Sequence, residues 1–443
     1  MTMKSILAFC FMALSTTLFG QKVEFMEYDL DNGLHVILHQ DNSNPIVAVS
    51  VLYHVGAKNE EPGRTGFAHF FEHLLFEGSE NIDRGEFDKY VSSAGGVNNA
   101  NTSSDRTYYY ELFPSNQLAL GLWLESERML HAKVEDKGIE TQREVVKEEK
   151  RLRVDNQPYM KAFWTEVPAA LFEKHPYQYS VIGSMEDLDA AVEEDYKNFY
   201  ATFYVPNNAT LSIAGDIDIK EAKQLITKYF GTIPTGTIDI PRPNIQETPI
   251  SAEKTATFFD DNVQIPAVLF GYRTPKQTDK DSYVLQIISS VLSGGESSRM
   301  QKTIVNDKKL ALQSGAFLNA MEDYGMFYVY GLINQGVEPE TLSAAMDEEI
   351  DKLLAEGITE RELQKQINNL EKSFIERNRT MAGIAESLAD YHTYYGDAEL
   401  INEELDTYRS ITLADVKRVA KQYLTKNQRV KGTIQPSEKP AEN

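Results

Sequence analysis

Within "GRTGFAHFFEHLLFEGS", Gly63 to Ser79, two histidines stand four residues apart with a glutamate between them: His69, Glu72 and His73. On an α-helix, residues four apart lie one turn apart on one face, so both imidazoles can aim at one point. Zn²⁺ takes such nitrogens at about 2.0–2.1 Å and, in a catalytic site, wants three protein ligands and a water. Glu72 is offset on nearly the same face. Its carboxylate can reach that water without being a ligand and can take its proton. The competing reading is an amphipathic helix whose histidines are satisfied by hydrogen bonds. Two His and one Glu in this order, in a chain with 8 His, favour the metal.

A third ligand is needed. The chain has one cysteine, Cys10, in an N-terminal stretch expected to be removed, so oxygen is the expected donor. The other histidines (His35, His39, His54, His131, His175 and His392) carry no paired signal. The acidic run "TQREVVKEEKRLRVD" offers Glu144, Glu148 and Glu149. Glu149 shares a helix face with Val145, Val146 and Leu152 and can point inward. Glu144 and Glu148 lie further round, where a solvated face is expected. The pattern favours Glu149 and leaves Glu148 open.

The elements that must position these groups are legible as periodicities. "VEFMEYDLDNGLHVILHQDN" alternates about an Asp31-Asn32-Gly33 turn, a hairpin signal. "PIVAVSVLYHVGA" reads as a buried strand. The histidine helix follows, with Pro62-Gly63 as breaker, Thr65 as its cap and Gly78-Ser79 as its end. "EFDKYVSSAGG" is a second short helix. "VNNANTSSDRTYYYELF" reads as two strands about a Ser-Ser-Asp turn. Helices are expected over 115–131 and 136–155, and a turn plus strand at "FYVPNNATLSIAGDID".

The 443 residues suit two or three domains. Hydrophobic content of 42% and charged content of 25% are ordinary for a globular protein. A formal charge of -23 argues against nucleic acid or an anionic membrane as partner, since both reward Lys/Arg patches. At the N-terminus, Lys4 precedes an apolar run from Ile6 to Leu14 and then small or polar residues to Gly20. That pattern resembles an export signal over 1–20 and is too short for the roughly 20 residues of a membrane span. An exported, periplasmic protein is expected, with secretion or surface association as variants.

The pattern also repeats. "IPAVLFGYRTPKQTDKDSYVLQIISSVLSGGESSRM" echoes the strand, loop and helix around the histidines, and "QYLTKNQRVKGTIQP" echoes "TFYVPNNATLSIAGD". Tyr204 and Tyr423 are 219 positions apart, and Gly78 and Gly295 are 217 apart. A near-constant offset argues for a duplicated α/β unit. The expected divisions are 21–233, a Pro-rich linker at 234–250, and 251–437. The second copy carries "LQIISSVLSGG", with no histidine, so any metal chemistry exists once.

His-x-x-Glu-His is the inverted zinc signature. Together with "HFFEHLLFEGS", "GGVNNANTSSDRTYYY", "REVVKEEKR", "HPYQYSVIGS" and "FYVPNNATLSIAGD", in that order, the chain resembles the pitrilysin/insulinase metallopeptidases, which include the mitochondrial processing peptidases and their bacterial relatives. The resemblance runs from about Val23 to Pro436. It implies an α+β fold of two homologous α/β domains arranged as a clamshell around a peptide chamber. It implies one Zn²⁺ per chain, held by His69, His73 and a glutamate about 76 positions past the second histidine, which selects Glu149. Glu72 is then the general base of a zinc endopeptidase. Many members carry an acid seven residues before the glutamate ligand, and this chain has Gln142 there. The resemblance also makes Asn99, Ala100, Asn101 and Thr102 an edge strand beside the zinc, able to take an extended peptide by β-augmentation.

One part is missing. In the family an arginine and a tyrosine seven residues apart, after a "GGxSSR" stretch, stabilise the oxyanion and hold the substrate. Here that register falls on Val305 and Leu312. Neither side chain donates a hydrogen bond, and Arg299 belongs to the preceding motif. The expectation is the zinc-bearing subunit of a two-chain enzyme, whose homologous partner supplies the Arg/Tyr pair. The alternatives are a self-sufficient homodimer and a non-hydrolytic zinc-containing binding subunit.

Overall fold

The computed structural model describes residues 22–437; the expected export signal lies outside them. Two mixed sheets organise the chain. The first half runs β1 (Met26–Asp29), β2 (His35–Gln40), β3 (Ile46–Tyr53), α1 (Phe67–Leu74), α2 (Phe87–Ser93), β4 (Val97–Thr102) and β5 (Thr107–Pro114). It continues with α3 (Leu118–His131), α4 (Asp136–Lys150), α5 (Val167–Leu171), α6 (Met185–Ala190), α7 (Glu193–Phe203), β6 (Ala209–Gly215) and α8 (Ile219–Phe230). No strand or helix interrupts 234–253.

The second half runs β7 (Lys254–Asp260), β8 (Ala267–Thr274), α9 (Lys280–Ser293), β9 (Ala311–Ala320) and β10 (Gly325–Ile333). Then come α10 (Pro339–Glu356), α11 (Glu360–Arg377), α12 (Met381–Asp390), α13 (Leu400–Arg409), α14 (Leu413–Tyr423) and β11 (Arg429–Pro436). No helix among the described residues is long and apolar enough to cross a membrane.

The first sheet has the order β1-β2-β6-β3-β5-β4 and the second β7-β11-β8-β10-β9. Apart from β1 they match strand for strand. β2 pairs parallel with β6 as β7 does with β11, and the remaining neighbours are antiparallel. The duplication legible in the sequence is therefore a duplicated topology. In both copies the last strand of the order, β4 or β9, is a free edge.

The two domains exchange helices. α12, from the second half, lies on the first sheet, where Ile384, Ala385 and Leu388 pack on Ile37, Ala48 and Ala214. Reciprocally, α5 covers the second sheet, where Val167 and Leu171 join Leu269, Tyr328, Val430 and Ile434. Small residues at the crossings permit this close approach: a Cβ on Gly271 would stand 2.6 Å from Val167 Cγ1. Each buried Leu or Ile contributes about 1.5–3 kcal/mol, so the exchanged helices stabilise both sheets.

A buried charge cluster joins the tips of the two equivalent hairpins. Lys58 Nζ lies 3.2 Å from Asp105 in the β4–β5 turn, and 2.6 and 3.3 Å from Glu322 and Asp323 in the β9–β10 turn. His54 and His175 also reach Glu322 and Asp323, at 2.8 and 3.2 Å. The Glu322 backbone N–H donates to Asp105 (3.0 Å), as does the Tyr177 hydroxyl (2.5 Å).

Candidate active site

α1 is held at its N-terminus from outside the helix. Thr65 does not cap it. Its hydroxyl and its backbone N–H both turn to Asp187, at 2.5 and 3.0 Å. The cap position is Gly66, with φ 91°, a left-handed conformation that suits glycine. The first free N–H groups are taken by the buried Glu60 carboxyl group, from Gly66 at 2.7 Å and Ala68 at 2.9 Å. Gly183, from "HPYQYSVIGS", closes the same corner: its added Cβ would fall 2.6 Å from Gly66 Cα. The helix ends at Leu74, a turn earlier than Gly78-Ser79. Its buried face stacks Phe67 and Phe70 on Tyr196, with ring centroids 4.6 and 4.5 Å apart. The Tyr109 hydroxyl donates to the Phe71 carbonyl at 2.9 Å.

That helix and α4 bring the expected ligands together. His73 Nε2 lies 3.0 Å from Glu149 Oε2, and His69 Nε2 lies 3.6 Å from the same oxygen. One ligand atom from each of the three falls within 4.8 Å of the others. Glu149 Oε2 is buried without a hydrogen-bond donor, as is His69 Nδ1. Burial first, and His73 second, pull His69 down to about 4, so its imidazole is neutral at pH 7 with a lone pair to give. The His73 imidazole, 3.0 Å away, holds Glu149 below the usual carboxylate range. Two imidazoles and one ionised carboxylate, converging with an unsatisfied oxygen, are a donor set that fits Zn²⁺.

Glu149 faces inward for a different reason from the one its neighbours suggested. Val145 and Leu152 are 43% and 61% exposed. The inner face of α4 is Ile139, Arg143 and Val146, and Glu149 continues it one turn after Val146. Glu144 and Glu148 point to solvent. The signal was present as the Ile139/Val146 spacing extended by three. Arg153, which no pattern singled out, sits in the π-type turn Arg151–Asp155 with its guanidinium 2.9 Å from Glu149 Oε1. Gln142 turns away from the ligands: its amide donates to Glu77, which also pairs with Arg84.

Glu72 stands beside the ligands without joining their cluster. Burial raises its pKa, opposed by the Thr102 hydroxyl, which donates to Glu72 Oε2 at 2.6 Å. Thr102 ends β4, whose other expected substrate residues, Asn99, Ala100 and Asn101, lie on the edge of the sheet. The Ala100 N–H is taken by Asn99 Oδ1 (3.0 Å) instead of a neighbouring strand. Asn101 Oδ1 accepts from Arg106 (3.2 Å), and Arg106 is paired with Glu386 and Asp390 of α12. The exchanged helix therefore supports the edge strand. In the second domain, Val305 packs against the hydrophobic core and Leu312 is 52% exposed on β9.

Residues 35–185 match the family model described as insulinase (peptidase family M16), and residues 191–370 match the peptidase M16 inactive domain. The zinc protease PqqE of Helicobacter pylori is 31% identical over 411 residues, covering 92% of each chain. A solved protease structure from Helicobacter pylori superposes with a TM-score of 0.88 at 30% identity, over 93% of this chain and 100% of that one. The periplasmic protease PqqL from Escherichia coli gives a TM-score of 0.74 at 19% identity, over 93% of this chain and 47% of that one.

Proposed function

The chain belongs to the insulinase (peptidase M16) family, and from that premise we propose that it is the zinc-bearing catalytic subunit of a two-chain endopeptidase acting on extended peptides or unfolded segments. The observation that carries this reading is one constellation: His69, His73 and Glu149 converge, and Glu72 beside them is bonded to the last residue of a free edge strand. A zinc ion held by those three residues would polarise the scissile carbonyl and acidify water at the site to a pKa of about 7.

The protein's own groups do the rest. The edge of β4, Asn99 to Thr102, adds the peptide as a further strand, with the Ala100 N–H exchanging Asn99 Oδ1 for a substrate carbonyl. Glu72, ionised, takes the proton of the attacking water on its carboxylate and delivers it to the leaving amine. Thr102 holds that carboxylate at the end of the strand on which the peptide lies.

The oxyanion side is supplied from elsewhere. Val305 and Leu312 give no hydrogen-bond donor, so a homologous partner with the Arg/Tyr pair completes the site. The twofold length of PqqL supports a complete enzyme of two such halves. The leader-like N-terminus, and a relative described as periplasmic, support export to the periplasm.

The test is cleavage of a quenched peptide library by the purified chain, with and without a homologous partner chain and with and without EDTA. Weak cleavage alone, strong cleavage with the partner and loss with EDTA are expected. Full turnover by the isolated chain would make it a self-sufficient homodimer. Zinc without hydrolysis under any pairing would make it a binding subunit.

A further inference from the structure

His35 and His392 carry no paired signal in the sequence, being 357 positions apart, yet the fold lays one ring on the other. Their centroids are 3.4 Å apart and the planes are within 4° of parallel. His35 opens β2 directly opposite Asp29 in the β1–β2 register. His392 belongs to the π-type turn Tyr391–Tyr395 that follows α12, so the stack crosses from the first domain to the second.

The polar atoms around His35 are arranged asymmetrically. Nδ1 lies 2.8 Å from Asp29 Oδ1, which makes it the protonated nitrogen and leaves Nε2 as the lone pair. Nε2 is sealed from solvent and has no hydrogen-bond partner. A buried orphan of this kind is destabilising unless something binds it. Glu27 Oε2 lies 3.4 Å from Nε2, on the same face of β1 as Asp29. One ligand atom from each of Glu27, His35 and His392 falls within 4.8 Å of the others. Among the described residues this is the one metal-type cluster besides His69, His73 and Glu149, and it has the same donor set.

A carboxylate on the far nitrogen is how proteins orient a histidine ligand and raise its basicity. Ligand atoms about a tetrahedral zinc ion stand about 3.4 Å apart, and His35 Nε2 already lies 3.4 Å from Glu27 Oε2. Closure needs the His392 ring to tilt out of parallel and the exposed Glu27 to turn inward. Two strands and a helical turn supply the backbone, so little ordering is left to do.

We propose that Glu27, His35 and His392 form a second, non-hydrolytic site for a zinc-type divalent ion, which clamps the β1–β2 hairpin of the first domain to the turn after α12 of the second. Imidazole and carboxylate donors suit zinc over calcium or magnesium, which take oxygen ligands. Because the donors come from both domains, ion binding and domain docking are linked. This site is independent of the hydrolytic reading.

The experiment is zinc titration and metal analysis of the full chain in a His73→Ala background, which disables the other cluster. About one zinc per chain is expected to remain, and added zinc is expected to raise the melting temperature. Glu27→Gln, at an exposed position that folding does not depend on, should weaken this binding at least tenfold and remove the thermal shift. His392→Ala should do the same. Zinc near zero in His73→Ala, or zinc retained unchanged in both further variants, would overturn the proposal.

Discussion

The Thr102 hydroxyl donates a 2.6 Å hydrogen bond to Glu72 Oε2. One bond thus joins the strand proposed to receive the peptide to the carboxylate proposed to act on it.

Glu72→Gln keeps the shape of this contact and removes the base. Hydrolysis should fall by at least about 100-fold while zinc bound through His69, His73 and Glu149 is retained. Metal analysis alongside peptide cleavage checks it; retained activity would remove Glu72 from its proposed role.

Thr102→Val removes the hydroxyl and keeps the strand. Burial raises Glu72 and the Thr102 bond opposes that rise, so its loss raises Glu72 further. A base acts when ionised. The acidic limb of the kcat/KM profile should therefore move to higher pH, with little change on the alkaline side. An unmoved limb would mean that another group sets it.

Ala100→Pro probes the edge itself. The Ala100 N–H is bonded to Asn99 Oδ1 and not to a neighbouring strand, so a proline there removes a donor proposed for the peptide at small cost to the sheet. Losing one such bond, about 1.4 kcal/mol, should raise KM about tenfold. Unchanged KM in steady-state assays would argue against strand addition at this edge.

Glu60→Gln tests the support of α1. Burial pushes Glu60 up to about 8 against the pull of the backbone N–H groups. A carboxyl whose folded pKa is raised contributes stability that is present below its ordinary value and lost as pH climbs through the folded one. The wild type should therefore lose stability relative to Glu60→Gln as pH rises from about 4.5 to about 8. Melting temperatures across that window give the sign. A difference that does not change with pH would mean that Glu60 stays ionised throughout.

Lys58→Met leaves Asp105, Glu322 and Asp323 without their shared cation. The lysine side chain is 3% exposed, so water cannot replace it. Stranding the buried Asp105 beside the half-buried Glu322 and Asp323 costs about 3–5 kcal/mol, read as a lower midpoint in denaturant. A change below about 1 kcal/mol would show that His54 and His175 suffice.

The legible parts of this protein share one property. His69 and His73 are a relation inside one helix, fixed by its pitch. The strands around Ala48 and Tyr109, and their echo at Val268 and Tyr328, are relations inside single strands or between close neighbours. Each follows from local periodicity. Glu149 was reachable only in part: its helix was clear, but Val145 and Leu152 mark the solvent side, and Val146 marks the core.

The sequence by itself determined the histidine helix, its candidate ligands and base, and the repetition of an α/β unit, while the family resemblance marked Val305 and Leu312 as positions without a donor. Tertiary structure alone decided that Glu60 holds α1 in place of Thr65, that Thr102 touches Glu72, that α5 and α12 exchange sheets, and that His35 meets His392. These depend on where distant segments return, and the pitch of a helix or the pleat of a strand carries no information about that. Burial and pairing across the assembled fold select the partner, and they come into being only when both domains are in place.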